Sequence, residues 1–132
     1  MRRACLSLVA CALVAAGCGG GNDREDIDQT LREFVTALNE RDGETFCEEL
    51  VTREFVEQQT FAKGDRAITA CKKELAQVRG LKVKLVRVSS VKVDGETARV
   101  RAVLSVQSQE QDQVYRLRKE DGGWRIASGA GG

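Results

Sequence analysis

The sequence predicts an α+β domain in which N-terminal helices pack on a curved, four-stranded antiparallel sheet. Apolar residues recur with helical spacing as far as Gly80, and from Leu81 onward the period is two. Turn punctuation in the second half, at Asp94-Gly95 and Asp121-Gly122-Gly123, marks hairpins between successive strands. Helices first and strands afterwards make one layer of each. The chain's 132 residues suit a single domain, and 42% apolar residues is too many for a disordered chain. With 21 Lys+Arg against 20 Asp+Glu, the composition does not mark a nucleic-acid binder.

Residues 1–17 read as an export signal, 18–23 as a tether, 24–128 as the domain and 129–132 as a disordered tail. Met1-Arg2-Arg3 is basic, and Ala4 to Ala16 is thirteen residues without a charge. A bilayer span needs about 20 apolar residues, whereas the apolar stretch of a signal has about 7–15. The run closes in Val14-Ala15-Ala16-Gly17-Cys18 and resembles the lipobox of bacterial lipoproteins. The resemblance implies cleavage after Gly17, diacylation of Cys18 (palmitate-type chains) and anchoring to the outer face of a bacterial membrane. Ala15 departs from the pattern, since leucine is commoner there. An ordinary cleaved signal and an uncleaved anchor are the other readings of these residues. Two acyl chains hold durably, at about 0.8 kcal/mol per buried CH₂, and Gly19-Gly20-Gly21 suit a flexible tether.

Cys5 and Cys11 leave with the signal, so Cys47 and Cys71 remain, 24 positions apart on two predicted helices. Exported thiols tend to oxidise, and a disulfide here is expected to add about 3 kcal/mol by restricting the unfolded chain. Two free buried thiols are the alternative. A redox pair lacks the C-x-x-C spacing that tunes a thiolate.

The first helix carries Ile27, Leu31, Phe34, Val35 and Leu38 on one stripe, with Asn22 and Glu25 as a capping box and Asp42-Gly43 as its stop. A second opens at a Thr45-x-x-Glu48 box, buries Phe46, Cys47, Leu50 and Val51, and continues or restarts through Phe55 and Val56. A third runs from Asp65 with Ile68, Cys71, Leu75 and Val78 inward, closed by Gly80. In the first strand Leu81, Val83 and Leu85 share a phase that Val91 and Val93 resume, while Arg87 and Ser89 fall in the apolar-face slots. Either a β-bulge shifts the phase or a pocket wants polar groups. Ala98, Val100, Ala102, Leu104 and Val106 form the inner face of the next strand. A polar turn over Gln107 to Gln111 precedes Tyr115 and Leu117, and Trp124 and Ile126 belong to a last short strand.

Three segments, FVTALNERDGETFCEEL (34–50), VDGETARVRAVLSV (93–106) and YRLRKEDGGWRI (115–126), resemble small exported proteins of the nuclear transport factor 2-like superfamily. The resemblance covers about Ile27 to Ser128 and implies a cone: a strongly bent sheet closed by helices, often around an apolar pocket. Phe34, Arg87 and Tyr115 are the expected pocket lining. Enzymes on this fold, isomerases, cyclases and dehydratases among them, use an acid–base pair in the pocket, and none of their catalytic motifs matches here.

No catalytic, cofactor-binding or metal-ligating residues are therefore assigned. The chain has no histidine, which removes Ser-His and Cys-His nucleophile pairs and imidazole-ligated zinc. The visible acids lie on helix faces and in turns, and Tyr115 and Trp124 read as core aromatics. Charge placement is less ordinary. Residues 18–60 hold 4 basic and 12 acidic groups, and 61–132 hold 15 basic and 8 acidic. Lys82, Lys84, Arg99, Arg101, Arg116 and Arg118 alternate with inward apolar residues and could form one basic sheet face; a solvated outer face is the plainer reading. The expected function is a membrane-anchored, non-enzymatic binding or accessory module, a monomer, meeting an acidic envelope component or protein and no nucleic acid. A small-molecule carrier or sensor is the alternative, and an isomerase- or dehydratase-like enzyme a third.

Overall fold

The computed structural model describes residues 22–129. The export signal, Cys18 and its glycines, and residues 130–132 of the expected tail lie outside the described residues.

Helix α1 spans Asp23–Glu40 and buries Ile27, Leu31, Phe34 and Val35, so its apolar stripe falls as the spacing predicts. Its ends differ from expectation. Asn22 makes no side-chain capping bond, and Asp23, Glu25 and Asp26 instead place negative charge at the positive end of the helix. Arg41, not Gly43, takes the left-handed conformation (φ 58°), and the Arg41 and Asp42 N–H groups return to the Leu38 and Ala37 carbonyls. Gly43 is needed for a close approach: a Cβ there would lie 3.1 Å from the Lys72 Cα.

The expected second helix is two elements. Thr45–Leu50 is a π-helical turn, and Asp42 caps it, its Oδ1 accepting from the Thr45 N–H at 3.1 Å. The Thr45–Glu48 box does not form, because Glu48 pairs with Lys72 at 2.7 Å. Val51 then bridges Ile126, and Thr52, fully buried, caps α2 (Arg53–Thr60) by accepting from the Phe55 N–H. Helix α3 spans Asp65–Gln77, with Ala67 and Leu75 buried and Ile68 and Cys71 half-buried.

Four strands follow as an antiparallel meander, β1 (Val83–Asp94), β2 (Thr97–Val106), β3 (Gln109–Glu120) and β4 (Gly123–Ser128), in the spatial order β1-β2-β3-β4. Two register shifts in β1, between Leu85 and Arg87 and between Val88 and Ser90, leave Val86 and Ser89 as extra residues. The phase change is thus a pair of bulges, which keep Leu85, Val88 and Val91 towards the core and bend the edge strand. Each turn has two residues: Gly95-Glu96, Gln107-Ser108 and Asp121-Gly122. The second is shorter than the expected polar loop, and β3 begins at Gln109 because Gln109–Gln113 pair with Ala102–Val106 along the extended hairpin.

The helices cover one face of the sheet. Ala98, Val100, Ala102, Leu104, Tyr115, Leu117, Trp124 and Ile126 join the α1 stripe in a single core. Trp124 is tied to the start of α1: its Nε1–H donates to Asp23 Oδ1 at 3.2 Å, and Lys119 Nζ reaches the same oxygen at 3.1 Å. Asp23 is 8% exposed, so one acid is buried where the sequence suggests only solvated ones.

Candidate functional site

The inner space of the cone is occupied by its own rings. The Phe34 ring centroid lies 5.2 Å from that of Phe46 and 5.9 Å, edge-on, from that of Tyr115. Burial pushes the Tyr115 hydroxyl up to about 12, so the phenol is neutral at physiological pH. Gly129 lies against this ring, where an added Cβ would come within 3.0 Å of Cδ1 and Cε1. Phe34 and Tyr115 therefore fill the cone. Arg87, expected beside them, is exposed and pairs with Val103, because the bulge at Val86 carries it to the opposite face. An apolar hollow of about 220 Å³ lies instead between α2 and α3, beside Leu38, Phe46, Phe55 and Val78. Ligand sites begin at about 300 Å³.

Cys47 and Cys71 are joined by a disulfide with a Cα–Cα distance of 6.2 Å, linking the π-helical turn to α3. The bond suits an oxidising, extracytoplasmic environment. No helix among the described residues is long and apolar enough to cross a membrane. No group of three His, Cys, Asp or Glu side chains that could hold a metal occurs among them either.

The outer face of the sheet is built by the residues that alternate with the core. Register places Lys92, Arg99 and Arg116 directly opposite one another on β1, β2 and β3, with Ser128 of β4 completing the row. Adjacent strands lie about 4.8 Å apart, so these three cations span only about 10 Å. The next row holds Ser90, Arg101 and Val114. Among the described residues no carboxylate pairs with Lys92, Arg99, Arg101 or Arg116. Three clefts open around this centre, of about 440, 530 and 260 Å³, and Arg99 lines all of them.

The six residues expected as one basic face do not behave alike. Arg118 is neutralised by Glu54 at 3.0 Å and Glu120 at 2.6 Å, and these carboxylates hold its guanidinium protonated. Lys84 stands at the far end, opposite Ser105 and one strand from Glu110, while Lys82 is exposed and precedes β1. Only Arg99, Arg101 and Arg116 lie together. Lys92 joins them: the two bulges together restore the phase, so it alternates with Val91 and Val93 as Lys84 does with Val83 and Leu85.

No family model matches the sequence, and no curated protein matches it. Solved structures do. A domain of unknown function with a cystatin-like fold from Nostoc punctiforme is 22% identical, with a TM-score of 0.56 over 81% of this chain and 74% of that one. A nuclear transport factor 2-like protein of unknown function from Shewanella oneidensis is 17% identical, with a TM-score of 0.58 over 80% and 95%. One from Cytophaga hutchinsonii is 15% identical, at 0.54 over 82% and 95%. At these identities the likeness concerns architecture alone: helices on a curved four-stranded antiparallel sheet, the nuclear transport factor 2-like, cystatin-like fold.

Proposed function

We propose that this chain is an exported lipoprotein, anchored through Cys18, whose domain is a non-enzymatic binding module and whose contact surface is the outer face of the sheet. The observation that carries this function is the row Lys92–Arg99–Arg116, three cations directly opposite one another with no paired carboxylate among the described residues. Like charges placed so cost stability. An acidic partner would relieve the repulsion. The Cys47–Cys71 bond supports export, and Gly-rich residues 19–21 would give the domain reach from a membrane surface. The rings that fill the cone support a surface module over a carrier.

The test is envelope association of residues 19–132 exported behind an ordinary cleaved signal, so that neither an acyl chain nor the signal's apolar run contributes. Replacing Arg99, Arg101 and Arg116 together by Gln is expected to move the protein from the envelope fraction to the soluble one. Association unchanged by the three substitutions contradicts the assignment of this surface.

A further inference from the structure

Resting on that surface assignment, we infer that the centre of the outer face binds the phosphate groups of a linear phosphodiester polymer with a polyol or sugar backbone, laid across the strands along Lys92, Arg99 and Arg116.

The shape of the charge selects a linear ligand. The cationic rows are bordered by acids on both sides. Asp94 and Thr97 form the row beyond Lys92 and Arg99, where Arg118 is already paired with Glu54 and Glu120. Asp112 lies beyond Arg101 in the row of Arg87 and Val103, and Glu110 beyond that in the row of Lys84 and Ser105. A flat anionic membrane would meet these carboxylates together with the cations. A slender chain running perpendicular to the strands follows the unpaired cations, at intervals of about 4.8 Å, and leaves Asp94 and Asp112 at its margins. Three clefts adjoin this row, one lined by Lys92, Arg99 and Arg101, and two by Arg99 and Arg116 with Asp94 at the edge of one and Asp112 at the edge of the other.

The chemistry of the row selects phosphate. Arg99 and Arg116 present two guanidinium forks from adjacent strands, and each fork can donate two parallel hydrogen bonds to an oxyanion. A planar carboxylate satisfies one fork. The oxygens of a tetrahedral phosphate point in different directions and can meet both, while Lys92 supplies a third charge as a mobile ammonium. Nucleic acid is also a phosphodiester polymer, but the lining of these clefts includes no aromatic ring on which a base could stack.

The experiment is calorimetric titration of the detergent-solubilised full chain with three probes: a short poly(glycerol phosphate), the single diester glycerophosphoglycerol, and polyglutamate matched in charge to the first. Poly(glycerol phosphate) is expected to bind about tenfold or more tightly than either other probe, since it alone offers several phosphates to the forks at once. Arg99→Gln and Arg116→Gln should each weaken it about tenfold by removing one fork, and Lys84→Gln should leave it unchanged. Polyglutamate binding as tightly would overturn the phosphate assignment while leaving the outer face as the contact surface. The single diester binding as tightly would overturn the polymer in favour of isolated phosphates or lipid headgroups. Polymer binding that survives Arg99→Gln and Arg116→Gln would overturn the site, and so would no binding at all.

Discussion

The two faces of one sheet, built from alternate residues of the same strands, have opposite physics. In β2, Ala98, Val100, Ala102 and Leu104 are buried against the helices, while Arg99 and Arg101 point away and stand opposite further cations. The inner face is satisfied: Phe34 packs against both Phe46 and Tyr115, and no buried side-chain nitrogen or oxygen among the described residues lacks a hydrogen-bond partner. The outer face instead holds like charges opposite one another with no paired carboxylate among the described residues. If the outer face is the contact surface proposed above, substitutions on the two faces should move different observables: stability for the inner face and binding for the outer one.

The largest effect is expected inside. Phe34→Ala removes the ring that touches both Phe46 and Tyr115 and should lower unfolding free energy by about 3–5 kcal/mol in chemical denaturation. Polymer binding by the fraction still folded should be unaffected. Next comes the disulfide: Cys47→Ser with Cys71→Ser should cost about 3 kcal/mol, read in the same way.

Tyr115→Phe separates the faces by pH. The folded-state hydroxyl titrates at about 12 and the unfolded one at 10.0, so the neutral phenol favours the fold fully below pH 10. That contribution, of order 2–3 kcal/mol, is lost as pH rises from 10 towards 12, and Tyr115→Phe should lack this loss. A smaller effect concerns the caps. The Asp42 carboxyl is held below its ordinary value by bonds from Thr45, and that of Glu57 by the Gly64 N–H. Their contribution is present above the ordinary carboxylate range and disappears as pH falls through the lowered values. Asp42→Asn and Glu57→Gln should therefore flatten the acid limb of the stability curve slightly.

What was legible in the sequence follows from what each signal depends on. Period and turn chemistry are local, so the order of helices and strands, the inner face of β2 and the hairpins at Gly95 and Gly122 could be read directly. The Cys47–Cys71 bond could be expected because a pair of thiols on a chain with an export-like N-terminus tends to oxidise. Helix ends were less legible: Asp42 takes the capping role given to Thr45, and Glu48 is drawn to Lys72 on α3. Such choices depend on tertiary neighbours that no local motif encodes. The bulges at Val86 and Ser89 show the same limit, because a phase break locates an irregularity without saying where the displaced side chain goes. That is why Arg87 is expected in the cone and lies outside it, whereas Lys92 was legible, since it alternates with Val91 and Val93 in the resumed phase. The buried Asp23 depends on Trp124, 101 residues away, and has no sequence signal.

The most direct measurement is urea denaturation of the Arg99→Gln, Arg116→Gln double variant beside the parent chain, at low salt, with and without poly(glycerol phosphate). Removing two cations from a row of three should stabilise the free domain by about 0.2–1 kcal/mol, and the polymer should then stabilise the parent but not the variant. A variant less stable than its parent, and equally stabilised by the polymer, would mean that the row belongs to the fold and not to a partner.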